Sequence, residues 1–184
     1  MNYPNNLNRN YKKNITYGNR GMDLENIINE TNTYYKDNNI AIIYKKATPI
    51  TALKTENGKI TNGFYKEKST LDYVGIYKGK YIEFDVKETK LNYLPLSNIK
   101  DHQINHIKDI IDHKGISFII ISIKENYYIL NGKDFINYID NYKVSTISYE
   151  YIKEYGIMLK YNYIKGLDYI SKLNKIYKEL DYNE

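Results

Sequence analysis

The chain has 184 residues and a formal net charge of +5, long enough for one domain with a substantial core. It contains no cysteine, which excludes disulfides, thiolate metal sites and a thiol nucleophile. The best apolar run, Ile116 to Ile123, is strand-sized and interrupted by Ser117 and Ser122, too short for a membrane-spanning helix.

Asn, Ile, Lys and Tyr are heavily used and Trp is absent, which reads as coding bias from an AT-rich genome. Individual tyrosines therefore carry little weight. The first acidic residue is Asp23. Before it, Arg9, Lys12, Lys13 and Arg20 lie in an Asn-rich segment with no hydrophobic period. Residues 1–19 are expected to be a disordered basic arm suited to phosphate contacts, and residues 20–184 a folded domain.

Met22 to about Lys36 has the three-four spacing of an amphipathic helix, with Leu24, Ile27, Ile28, Thr31 and Tyr35 on the buried face. Glu25 and Glu30 flank that face. Ile40 to Lys45 reads as a strand. Between Ile50 and Lys68, two strand-like arms surround Glu56-Asn57-Gly58-Lys59, whose Asn-Gly is a strong hairpin signal. The arms hold few core-type residues, so the hairpin is expected to project into solvent.

Ser69 to Lys90 is the most informative stretch. It reads as two strands joined at Lys78-Gly79-Lys80, with Asp72 at the start of the first and Asp85-Val86-Lys87 in the second. Alternation sends Ile82, Phe84 and Val86 one way and Glu83, Asp85 and Lys87 the other. Two carboxylates and a lysine gathered by a hairpin can hold a divalent metal and steady the charge of a phosphodiester under attack. The competing reading is a solvated strand face, because acid-x-lysine also occurs at Glu88-Lys90 and Asp112-Lys114.

Downstream, a helix is expected from about Ser97 to His113, closed by Lys114-Gly115 as a glycine cap. Ile116–Ile123 reads as the centre of a sheet covered on both faces, paired with Tyr127–Leu130. Helices near Lys133–Tyr142, Ser148–Tyr155 and Tyr169–Leu180 complete a mixed α/β pattern. His102, His106, Asp109 and His113 share one helical face, but the Glu of a His-Glu-x-x-His motif is missing, so a solvated or phosphate-facing surface is the better reading. Gly75 to Lys80 resembles a phosphate loop only superficially.

Six segments in order carry a family resemblance: Asn19-Arg20-Gly21-Met22 opening a helix that ends in Asn29-Glu30-Thr31-Asn32; Lys45-Lys46-Ala47-Thr48-Pro49; Ser69-Thr70-Leu71-Asp72-Tyr73; Gly75-Ile76-Tyr77-Lys78-Gly79; Val86-Lys87-Glu88-Thr89-Lys90; and Asp101-His102-Gln103. Together they resemble the RecU-type Holliday junction resolvases, of the PD-(D/E)xK nuclease fold. The resemblance implies an α/β, restriction-endonuclease-like mixed sheet flanked by helices, with residues 50–68 as a protruding stalk that enters a four-way junction. It implies Mg²⁺, with Mn²⁺ as the alternative, held by Asp72 and Asp85 with Thr70 and Gln103 in the metal shell. Lys87 would stabilise the phosphate or orient water, and Arg20 and Glu30 would line the site.

DNA contacts are then expected from Arg9, Lys12, Lys13, Arg20, Lys45, Lys46, Phe64, Tyr65 and Lys66. The implied protein is a cytoplasmic, nucleoid-associated bacterial homodimer that meets recombinase and branch-migration proteins and no membrane. One departure stands out: the family reads Asp-Phe-Glu where this chain has Glu83-Phe84-Asp85, one methylene shorter at the metal position. The alternative is a non-catalytic junction-binding or strand-annealing factor with a disabled metal site.

Overall fold

The computed structural model describes residues 23–65 and 70–177. Arg9, Lys12, Lys13, Arg20 and Lys66 lie outside those residues, as does the side chain of Tyr65. Helix α1 (Leu24–Asp37) begins at Asp23, whose carboxylate accepts from the Glu25 N–H. It buries Leu24, Ile27, Ile28, Thr31 and Tyr35, the face its spacing predicts.

A six-stranded sheet forms the centre. It is built from β1 (Ile42–Lys45), β4 (Tyr73–Tyr77), β5 (Lys80–Thr89), β7 (Ile116–Ile123), β8 (Asn126–Asn131) and β10 (Ile157–Leu159), hydrogen-bonded in that order. All pairs are antiparallel except β5 with β7, which run parallel. A parallel pair needs a crossover, and helix α2 (Asp101–Asp112) lies within it. Helices α3 (Gly132–Tyr142), α4 (Tyr149–Tyr155) and α5 (Ile170–Ile176) follow. The mixed sheet flanked by helices agrees with the fold class expected from the sequence.

Two cores sandwich the sheet. On one face Ile27, Ile28 and Tyr35 of α1 meet Phe84, Phe118 and Tyr169. On the other, Ile107 and Ile110 of α2 and Phe135 of α3 meet Ile119, Ile121 and Leu130. Each such side chain contributes roughly 1.5–3 kcal/mol through burial. Tyr73, Phe84 and Phe118 are paired across three neighbouring strands, their rings stacked 5.0 and 4.5 Å apart. That layer holds the centre of β5 rigidly from behind.

Strands β2 (Ile50–Glu56) and β3 (Lys59–Tyr65) pair only with each other. Asn57 and Gly58 both take positive φ, 49° and 75°, as the predicted tight turn requires. Ile50, Leu53, Ile60 and Phe64 are exposed, so the hairpin does stand clear of the core.

The cap of α2 differs from expectation. The left-handed residue is Lys114, at φ 63°, rather than Gly115. The N–H groups of Lys114 and Gly115 donate to Ile111 and Ile110, closing a Schellman turn. A Cβ at Gly115 would come within 2.7 Å of Ile110 Cγ2, so glycine is needed there for space. The short strands β6 (Tyr93–Pro95), paired with β9 (Thr146–Ser148), and β11 (Tyr161–Asn162), paired with β12 (Gly166–Leu167), have no counterpart in the sequence reading.

Candidate active site

Strand β5 presents Glu83, Asp85 and Lys87 toward α2, as alternation requires. The solvated-face alternative fails, because α2 covers this surface and both Glu83 and Asp85 are fully buried.

Asp85 is held from several directions. Its Oδ1 accepts from the Val86 N–H at 3.0 Å. Its Oδ2 lies 2.6 Å from Lys87 Nζ and accepts from Gln103 Nε2 at 3.3 Å. Burial pushes the carboxyl up to about 7. A hydrogen bond shared with the Asp72 carboxyl and the charge of Asp72 add to the rise, while Lys87 opposes it. Asp72 is half-buried just before β4, and its carbonyl accepts from the Lys46 N–H at 2.8 Å.

Gln103 is fully committed. Its Nε2 donates to the Thr70 carbonyl at 2.9 Å as well as to Asp85, and its Oε1 accepts from the Lys100 N–H at 3.0 Å. It lies at the carboxylates with its amide donor toward Asp85. The Thr70 hydroxyl turns away, donating to Glu83 at 2.8 Å.

In the sequence Glu83 shows only as a neighbour of Asp85 on one strand face, yet it organises a second cluster. Its Oε1 accepts from Lys46 Nζ at 2.8 Å, from the Thr70 hydroxyl, and from the Leu71 N–H at 3.3 Å. Its Oε2 accepts from the Tyr81 hydroxyl and lies 2.9 Å from His106 Nε2. Burial pushes Glu83 up, but hydrogen bonds from Lys46, Tyr81, His106 and Thr70 outweigh it and hold the carboxyl at about 2. A buried anion persists only with partners of this kind. The available signals were the shared strand face and the position of His106, three residues beyond Gln103 on α2.

The remaining expected site residues are dispersed. Lys46 points inward to Glu83 and Thr70, and Lys45 pairs with Glu25 of α1. Phe64 is exposed on the hairpin. Glu30 is exposed and lies within electrostatic reach of Tyr161, outside the Asp72–Asp85 contacts.

The model of the Recombination protein U family, RecU, matches residues 19–175. The chain belongs to the RecU family. It is 42% identical over 176 residues to the Holliday junction resolvase RecU of Bacillus cytotoxicus, covering 90% of this chain and 88% of that relative. The RecU proteins of Bacillus cereus and Bacillus anthracis are 40% identical over the same shares. Among solved structures, the Archaeoglobus fulgidus Hjc Holliday junction resolvase aligns with a TM-score of 0.41 at 8% identity, covering 64% of this chain and 82% of that one.

The RecU resemblance implies a metal, and the donors fit a hard divalent cation. Two carboxylates press together, and one of them is forced toward its protonated form at neutral pH, the strain that a cation between them relieves. Among the described residues no group of three His, Asp or Glu side chains gathers to hold an ion. The site therefore suits a cation that keeps waters and substrate oxygens in its shell. Asp72 and Asp85 would hold it.

Proposed function

We propose that this protein is a Mg²⁺-dependent endonuclease that resolves Holliday junctions by symmetric paired nicks in recombination and repair. The observation that carries the reading is the cluster of Asp72, just before β4, with Asp85 and Lys87 of β5 in a chain of the RecU family. The relatives named above are called Holliday junction resolvases, which supports the same substrate here.

When bound, the divalent ion would polarise a phosphoryl oxygen and supply a nucleophile at neutral pH, with Mn²⁺ the natural substitute for Mg²⁺. The residues do the rest. Asp72 and Asp85 bind and orient. Lys87, already against Asp85, offers positive charge where the phosphate gains negative charge. Gln103 fixes the rotamer of Asp85 and ties it to the Thr70 backbone. Asp85 is a shorter acid than the family's usual Glu, and its seat between Val86, Lys87 and Gln103 supports a working ligand rather than a decayed one.

A homodimer suits a substrate with two like strands to cut. The exposed apolar row of Ile42, Ile76 and Tyr81 crosses β1, β4 and β5 at an open sheet edge, a surface of the kind that pairs with a second copy. The stalk would supply preference for branched over linear DNA, and phosphate contacts by basic residues a steep salt dependence. No described helix is long and apolar enough to cross a membrane. Work on chromosomal junctions would place the protein in the cytoplasm at the nucleoid, beside recombinase and branch-migration proteins.

The test is incubation with a labelled mobile four-way junction and a linear duplex, with Mg²⁺ and with EDTA. Symmetric Mg²⁺-dependent nicks confined to the junction are expected. Junction binding without nicks in Mg²⁺ or Mn²⁺ would make this a structural recombination factor instead.

A further inference from the structure

Tyr163 and Ile164 are 81% and 77% exposed, ahead of Leu53 on the stalk at 64%. Single exposed apolar residues are ordinary, but two adjacent ones at the tip of a braced turn are not. Asn162 Oδ1 accepts from the Ile164 and Lys165 N–H groups at 2.8 and 3.1 Å, which closes the turn. The Tyr163 ring stands edge-on against Tyr161 at 5.5 Å.

The base of this hairpin is locked to α1. The Leu167 N–H donates to Thr31 Oγ1 at 3.0 Å, and Gly166, at φ 67°, would place a Cβ 2.1 Å from that oxygen. The tip is thus presented by a rigid support and gains nothing from its own fold by being apolar.

Its location is the second observation. Tyr161 lies within electrostatic reach of Glu30, and Tyr127 within reach of both Tyr161 and Glu88. Glu88, Ser122, Tyr127 and Leu159 pair in one row across β5, β7, β8 and β10, so the β11–β12 hairpin rises at the same end of the sheet as Lys87, on the face that carries α1. Lys160 and Lys165 flank the tip, both exposed, and no acidic residue occurs between Leu159 and Leu167.

We propose that the Tyr163–Ile164 tip is a DNA wedge that stacks on base faces opened at the branch point, with Lys160 and Lys165 on the flanking phosphates. The two lysines flanking the tip suit the phosphates of a polyanion. An aromatic ring beside a branched aliphatic side chain is the pair that lodges against unstacked bases. Continuous duplex hides those faces and a junction exposes them. This inference rests on the resolvase reading and adds to it a second shape-sensing element besides the stalk.

The test uses the full chain. Tyr163→Ala and Ile164→Ala should each raise the dissociation constant for a four-way junction by roughly 5- to 150-fold, the range of one lost base stack, and change duplex binding much less. Their melting temperature and sedimentation should match the parent protein. Because the chain has no Trp, Tyr163→Trp installs a single reporter whose fluorescence should be quenched by junction and not by duplex.

Unchanged junction affinity with an unquenched tryptophan, while the parent protein nicks junctions, overturns the wedge and leaves the resolvase reading standing. A shift of the alanine variants from dimer to monomer would make the tip a subunit contact and also overturn it. If the parent protein neither binds nor nicks junctions, the resolvase reading falls and takes the wedge with it.

Discussion

Glu83 Oε2 on β5 lies 2.9 Å from His106 Nε2 on α2, and this contact ties β5 to the helix that carries Gln103. The carboxyl is held at about 2 against an ordinary value of 4.5. Its folded value is depressed, so the stabilisation is fully present above pH 4.5 and is lost as pH falls toward 2. Glu83→Gln should cost about 2 kcal/mol at pH 7. That lies below the 3–5 kcal/mol of a fully buried broken pair, because Lys46 and His106 are partly solvated. Thermal melts from pH 2 to 7 check this: the difference from the parent protein should shrink steadily below pH 4.5. A constant difference would mean that packing rather than charge is at stake.

The Asp72–Asp85 pair gives the opposite sign. Asp85 is raised to about 7 from an ordinary 3.8, so the folded chain binds that proton more tightly than the unfolded chain. Without metal, stability is therefore lost as pH rises from about 4 to 7, and the loss persists above. Asp72→Asn removes the adjacent charge and should raise the metal-free melting temperature at pH 8 by about 2–4 °C, equivalent to roughly 1 kcal/mol in a chain of this size. The same variant should lose the Mg²⁺-induced rise in melting temperature and at least about 100-fold in nicking rate. Retained Mg²⁺ stabilisation in Asp72→Asn would remove Asp72 from the ligand set.

Lys87 lowers the Asp85 value through its charge and hydrogen bond. Lys87→Ala should therefore push Asp85 higher still and move the acid limb of the nicking profile toward alkaline pH, beyond a fall in maximal rate of about 100- to 1,000-fold. Lys87→Arg keeps the charge and should restore the limb while recovering only part of the rate, since a planar fork does not reproduce an ammonium point charge. Rates from pH 6 to 10 at sub-saturating Mg²⁺, where the metal-free carboxyl still titrates, separate the two effects. An unmoved acid limb in Lys87→Ala would show that another group sets it.

Strand β5 explains how much could be read in advance. Its alternation, the Lys78-Gly79 turn and the apolar run of β7 are local patterns, and they placed Asp72, Asp85 and Lys87 in one hairpin. The Asn57-Gly58 turn likewise announced the projecting hairpin of β2 and β3. The role of Glu83 is not local: its partners come from β1's trailing end, the loop before β4 and α2, and only the covered sheet makes burying that charge necessary. His106 showed in the sequence as part of a histidine face, with nothing to indicate that it answers a glutamate. The two- and three-residue strands β6, β9, β11 and β12 are too short for a period, and tertiary pairing alone creates them. At α2 the glycine signal was real, but its cause was space beside Ile110 rather than a left-handed backbone.

The apolar row on the open edge makes a test of assembly. Ile42 and Ile76 are paired across β1 and β4 and both are exposed, so a lysine at either position costs the monomer little. Ile76→Lys should leave the melting temperature of the monomer nearly unchanged while weakening self-association at least about tenfold, as a buried like charge would be repeated across a two-fold axis. Sedimentation velocity over a concentration series reads this directly. Junction products should change with it, from paired nicks to independent single nicks. A stable dimer in Ile76→Lys would place the subunit contact elsewhere on the molecule.

Deleting the stalk separates fold from selectivity. Residues 51–64 contribute exposed or half-exposed side chains and pair only within the hairpin, so their replacement by a short Gly-Ser linker should shift stability by no more than about 0.5 kcal/mol. The Asp72–Asp85–Lys87 cluster lies on β5 and the residue before β4, outside the deletion, so Mg²⁺ should still raise the melting temperature. Discrimination between four-way and linear DNA should fall sharply, to what the Tyr163–Ile164 tip alone supplies, if the projecting hairpin senses the shape of an open junction. Competition binding of labelled junction against unlabelled duplex measures the ratio. If the shortened chain keeps both its preference for the junction and its paired nicks, selectivity resides in the body of the domain, and the Tyr163–Ile164 tip is then the element to remove next.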